Sequence, residues 1–115
     1  MIEFDNYRLE LEGYSEQLSL LKDALHIVPL HDEISELEAH AQEPDFWENV
    51  EKAQSVQTRL RQLQKKVEHF HSLEKEREDL LLLCELGNEE DDADVLSEVQ
   101  HACGKYRQQC QKRIC

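Results

Sequence analysis

Glu43-Pro44-Asp45-Phe46-Trp47-Glu48-Asn49 is the stretch on which the reading of this chain turns. It places the only Trp directly after Phe46, and it separates long helical patterns that carry almost no other punctuation. Pro44 ends the helix before it, because a proline lacks the N–H donor and its ring clashes with the preceding turn. Asp45 can then cap a tight turn, and Glu48 three residues on gives the pair capping-box spacing. A short polar break with two large aromatics fixes a sharp corner between helices. Pro44, Asp45, Phe46 and Trp47 are therefore the candidate site residues, as a structural corner or as a partner contact. If Trp47 plugs a core, Trp47→Ala costs about 3–5 kcal/mol. If it meets a partner instead, it is a hot spot of the kind in which Trp is enriched.

Outward from the corner, apolar residues recur at alternating steps of three and four, the mark of an amphipathic helix with a heptad seam. Before it, Phe4, Tyr7, Leu11, Tyr14, Leu18, Leu21 and Leu25 predict one helix from about Phe4 to Leu25 or His26. Pro29 is expected to stop or kink the chain. A shorter helix is predicted over Asp32 to Gln42, capped by Asp32, with Ile34, Leu37 and Ala41 on one face. After the corner, Ala53, Val56, Leu60, Leu63, Val67 and Phe70 open the longest helix, predicted from Asn49 to about Leu86. The leucines at 80–83 widen its apolar face, which predicts more than one neighbour there. Gly87-Asn88 is the expected stop. A last helix starts in the acidic run Glu89 to Asp94, and its stripe is Val95 or Leu96, Val99, Cys103, Tyr106, Cys110 and Ile114. That stripe is still running at Cys115, which reads as a truncated end. The fold class is all-α, an antiparallel helical bundle with long coiled-coil-like helices, forming one domain over residues 1–115.

Composition narrows the function. The charged fraction is 34% and the formal net charge is −13. Such a surface repels a phosphate backbone at long range, so no direct nucleic-acid binding is expected and basic proteins are the natural partners. No apolar run has the length of a membrane span, and Met1-Ile2-Glu3-Phe4-Asp5 is not a signal peptide, so the chain reads as cytoplasmic. Cys84, Cys103, Cys110 and Cys115 form no paired framework and read as packed or reduced thiols. Histidines 26, 31, 40, 69, 71 and 101 contain no i,i+4 pair, and no metal or cofactor is expected. The run Glu89-Glu90-Asp91-Asp92-Ala93-Asp94 lacks the alternating ligands and central Gly of a calcium loop, and reads as a solvated helix start. No nucleophile elbow, phosphate loop or zinc-protease motif occurs, so no enzyme is predicted.

Several stretches together carry a family resemblance. They are Glu3-Phe4-Asp5 with Arg8-Leu9-Glu10-Leu11-Glu12 and Tyr14; Ile34-Ser35-Glu36-Leu37-Glu38; Glu43-Pro44-Asp45-Phe46-Trp47; Glu51-Lys52-Ala53-Gln54-Ser55-Val56; Glu78-Asp79-Leu80; and Glu85-Leu86-Gly87 with the acids through Asp92. In this order the chain resembles the N-terminal domain of the bacterial peptide chain release factor 2 family. The resemblance implies a helical domain of a factor that reads UGA and UAA stop codons on the ribosome. It implies partners at the large-subunit stalk base and a GTPase that recycles release factors. The family's Ser-Pro-Phe codon-reading loop and Gly-Gly-Gln hydrolytic loop are absent from this sequence, so no catalytic residue carries over. The segment His26-Ile27-Val28-Pro29-Leu30-His31 is more apolar than the family leads one to expect. The competing reading is an independent coiled-coil adaptor that pairs with another helical protein through its heptad seams.

Overall fold

A computed structural model describes the backbone of residues 1–114 and the side chains of residues 1–112. Among these the chain is all-α, a bundle of five helices with no strand. They are α1 (Ile2–Gly13), α2 (Ser15–Ala24), α3 (Ile27–Ala41), α4 (Val50–Glu90) and α5 (Ala93–Ile114), with a 3-10 turn at Phe46–Glu48 before α4. Two compact units form. One joins Met1–Leu21 to the chain from Ser72 onward, and the other is Lys22–His71.

In the first unit the heptad seams become core. Phe4, Leu11 and Leu18 are buried, as are Leu73, Leu80 and Cys84 of α4 and Val99, Cys103, Tyr106 and Cys110 of α5. Each large side chain removed from water in this way contributes about 1.5–3 kcal/mol. The second half of α4 does meet two neighbours. Arg77 Nε donates to Leu11 O of α1 at 2.7 Å, and Tyr106 Oη of α5 donates to Leu73 O at 2.9 Å. The single first helix expected from the sequence is divided at Tyr14, whose N–H turns back to Leu11 O at 3.2 Å. Arg77 explains the division, since its guanidinium occupies the carbonyls of Leu11 and Glu12 at the end of α1. A cation on the last carbonyls of a helix is favourable for the same reason that it is unfavourable at the start.

The expected stop of α4 at Gly87-Asn88 is also corrected. The helix runs three residues past Gly87 and ends at Asp91, held left-handed at φ 52°. Asp92 N–H bonds Gly87 O at 3.2 Å and Asp91 N–H bonds Asn88 O at 3.3 Å, the paired closure of a Schellman motif. Gly87 serves packing instead. A Cβ there would lie 2.7 Å from the Phe4 ring and 2.7 Å from Val95 Cγ1. The acidic run then starts α5, where Asp92 Oδ1 accepts from Asp94 N–H at 2.9 Å and Val95 N–H at 3.3 Å. Ile114 and Cys115, at the end of the expected stripe, lie outside the described side chains.

In the second unit Ile27, Ile34, Phe46, Ala53, Leu60, Leu63, Val67 and Phe70 are buried. Pro29 does not stop the chain, as the sequence suggests it should. It is the third residue of α3, in the first turn, where helix N–H groups have no intrahelical acceptor and a proline loses nothing. The helix therefore starts at Ile27, with His26 left-handed before it at φ 58°, and Asp32 lies inside the helix rather than capping it. His31 Nε2 of α3 and His71 Nε2 of α4 are 2.8 Å apart, so one ring donates and the other accepts. That contact spans forty residues of sequence, and no local spacing announces it.

Candidate functional site

The corner lies wholly in the Lys22–His71 unit. Pro44 follows the end of α3, and Phe46 N–H bonds Glu43 O at 3.1 Å to close the turn over it. Phe46 is buried, with its ring edge-on to His40 at 5.5 Å and to Trp47 at 5.1 Å. Such perpendicular pairs set the positive rim of one ring against the negative face of the other. His40 Nδ1 donates to Glu43 Oε2 at 3.1 Å across the same turn. Phe46 is thus a plug.

Trp47 is not. It is 58% exposed, so of the two readings given for it the core plug fails and the partner contact stays open. In a tight 3-10 turn neighbouring side chains point in different directions, so the burial of Phe46 turns Trp47 outward. Asp45 also departs from expectation. Its side chain makes no capping hydrogen bond, and its carbonyl accepts from Glu48 N–H at 3.0 Å instead. The cap belongs to Asn49, whose Oδ1 accepts from Lys52 N–H at 3.1 Å in the first turn of α4. An Asn just ahead of the apolar period was the sequence signal for it.

Two hollows flank the corner. One, of about 230 Å³, is lined by His40, Glu43, Asp45, Phe46, Glu48, Asn49, Lys52 and Ala53. The other, of about 600 Å³, lies on the Trp47 side against Gln54, Gln57, Thr58 and Arg61 of α4. Sequence reasoning singled out Trp47 but not these α4 partners. Their spacing of three and four puts them on one face, but nothing in the sequence sets that polar face apart from any other.

With this geometry in place, the chain can be set beside known proteins. The PCRF domain model matches residues 30–114, which covers the corner, α4 and α5. The chain belongs to the PCRF domain family. Similar relatives are peptide chain release factor 2 proteins. That of Exiguobacterium sp. is 34% identical over 85% of this chain and 27% of its own length. That of Staphylococcus haemolyticus is 32% identical over 86% of this chain and 27% of its own. That of Arthrobacter sp. is 31% identical over 81% and 25%. The chain spans about a quarter of the length of the curated relatives it matches. No solved structure matches.

Among the described residues no group of three or more His, Cys, Asp or Glu is placed to hold a metal. Among the described residues no helix is long and apolar enough to cross a membrane. The buried thiols Cys84, Cys103 and Cys110 are free, and burial pushes each thiol up, Cys103 to about 12. A thiol held neutral is a packing group and not a nucleophile.

Proposed function

We propose that this chain is a non-catalytic docking domain of the release-factor type, serving translation termination at UGA and UAA codons on the ribosome. Its partners on this reading are the large-subunit stalk base and the GTPase that recycles release factors. The observation that carries the proposal is the PCRF match over residues 30–114, in a chain whose relatives bear the name peptide chain release factor 2. The lack of a Ser-Pro-Phe or Gly-Gly-Gln sequence in these 115 residues supports a role in docking rather than in codon reading or hydrolysis.

The coiled-coil adaptor finds less support. Leu60, Leu63, Val67 and Phe70 are already buried within the chain. Pairing through that seam would first have to open it, at a cost of about 1.5–3 kcal/mol per large side chain. Co-sedimentation with purified ribosomal subunits tests the docking reading. The chain is expected to pellet with large subunits and to release no peptide from stop-codon complexes by itself. Self-association through the seam, with no ribosome binding, would support the adaptor instead.

A further inference from the structure

The charge of this protein is segregated along α4. Between Glu51 and Glu68 the helix carries Lys52, Arg59, Arg61, Lys65 and Lys66 and no Asp or Glu. All 26 acidic residues of the chain therefore lie outside this window, against the other 13 − 5 = 8 basic ones. All five bases of the window are exposed. Arg59 is paired with Glu33 at 3.3 Å. Among the described residues Lys52, Arg61, Lys65 and Lys66 have no carboxylate at ion-pair distance, and Arg61 donates only to Thr58 Oγ1, at 3.5 Å.

At 3.6 residues per turn, Gln54, Gln57, Thr58, Arg61 and Lys65 share one face of α4. Trp47 stands beside that face and lines the 600 Å³ groove with the first four of them. The surface thus combines an exposed flat ring, two unpaired cations about 6 Å apart along the helix, and amide and hydroxyl groups on the turns of α4 that precede them. No apolar side chain lies among the α4 residues of the groove. A protein partner would need an apolar centre on which to desolvate, and only Trp47 offers one. A polyanion with flat bases needs what is present: cations for phosphates, Gln and Thr for sugar and phosphate oxygens, and a ring on which a base can stack.

We infer that the Trp47 face of α4 is an RNA-binding surface that takes a phosphodiester backbone on Arg61 and Lys65 and an unpaired base on Trp47. It departs from the expectation set by the whole-chain charge, because a local field decides contact at separations under the Debye length of about 8–10 Å. The inference rests on charge placement and not on the docking proposal above, though it names a chemistry that such docking could use.

The test uses the intact chain and a mixed-sequence stem-loop RNA with an unpaired loop, in buffer of about 50 mM salt. Trp47 is the only Trp, so its fluorescence reports binding directly. RNA is expected to quench it saturably, with affinity falling as salt rises. Arg61→Glu with Lys65→Glu should weaken binding by tenfold or more and lower the salt slope by about 1.4, two contacts at about 0.7 each. Lys105→Glu, a reversal on α5, should leave the affinity within twofold. Trp47→Ala, followed by anisotropy of labelled RNA, should weaken binding several-fold. Absence of saturable quenching, or equal loss with Lys105→Glu, overturns the inference. So does polyglutamate binding as tightly as RNA, which would mark the face as a site for acidic proteins. Large-subunit binding that survives the Arg61→Glu, Lys65→Glu pair, with free RNA unbound, would remove this inference and leave the docking proposal intact.

Discussion

Phe46 and Trp47 are adjacent and similar in size, yet their surroundings assign them opposite work. Phe46 is 7% exposed and Trp47 58%. Phe46→Ala removes a buried ring and leaves a cavity, at an expected cost of about 3–5 kcal/mol. Trp47→Ala loses only its edge-to-face contact and some partial burial, at about 1 kcal/mol or less. Denaturant unfolding of the two variants checks this. Equal losses would return Trp47 to the core. The corner itself was legible in the sequence, because Pro, Asp and paired aromatics have strong local meaning. Which of the two rings points inward was not, because that depends on the direction of a three-residue turn. Asn49 shows the same limit: both Asp45 and Asn49 are good capping residues, and only the backbone decides which one faces the free N–H groups.

At the scale of helices, the periodic stripes were readable, and so were the ends on either side of the corner, but the ends elsewhere were not. Phe4, Leu11 and Leu18, then Leu60, Leu63, Val67 and Phe70, then Val99, Cys103, Tyr106 and Cys110 are all buried as their spacing predicts. The ends went wrong where tertiary contact overrides local preference. Arg77 divides the first helix from 66 residues away in sequence. Pro29 is harmless because it falls in a first turn, and Gly87 is used for close packing rather than for stopping. Gly87→Ala tests the last point. Helix propensity alone favours Ala by up to about 1 kcal/mol. Here the new methyl meets a ring that is itself 1% exposed and the short Val95 side chain, so overpacking wins and a net loss of about 1–2 kcal/mol is expected. Gly104→Ala in α5, with nothing within 4 Å of the added carbon, should instead gain about 0.5–1 kcal/mol. Thermal melts of both variants give opposite signs on this account. A gain at both positions would mean that Phe4 does not hold its place.

Across the whole molecule, burial and charge are the informative quantities. Burial foremost pushes the Cys103 thiol up from its ordinary 9.0 to about 12; the neighbouring Cys84 and Glu10 add to this and Arg107 opposes it. Tyr106 is raised from 10.0 in the same sense, again chiefly by burial. Both groups are neutral in the fold at higher pH than in the unfolded chain. Between the two values the folded state holds more protons, so stability falls as pH rises. The contribution from Cys103 is complete below pH 9 and is lost progressively from there towards pH 12. Melting temperature should therefore be level from pH 7 to about 8.5 and fall above 9. Site-resolved alkylation at pH 8 should label Cys84, Cys103 and Cys110 about tenfold or more slowly in the native protein than in denaturant.

The net charge of −13 is a true property of the sequence and a poor guide to any one face. Averaging hid the acid-free window from Lys52 to Val67, which became a surface only once Trp47 was placed beside it. The central proposal is that this PCRF domain docks on the ribosome without doing chemistry there. Sedimentation of the chain with purified large and small subunits, side by side and with a full-length release factor 2 as competitor, tests it most directly. Saturable binding to the large subunit, displaced by the full-length factor, is the expected result. No binding to either subunit, or binding that the full-length factor does not displace, would contradict it.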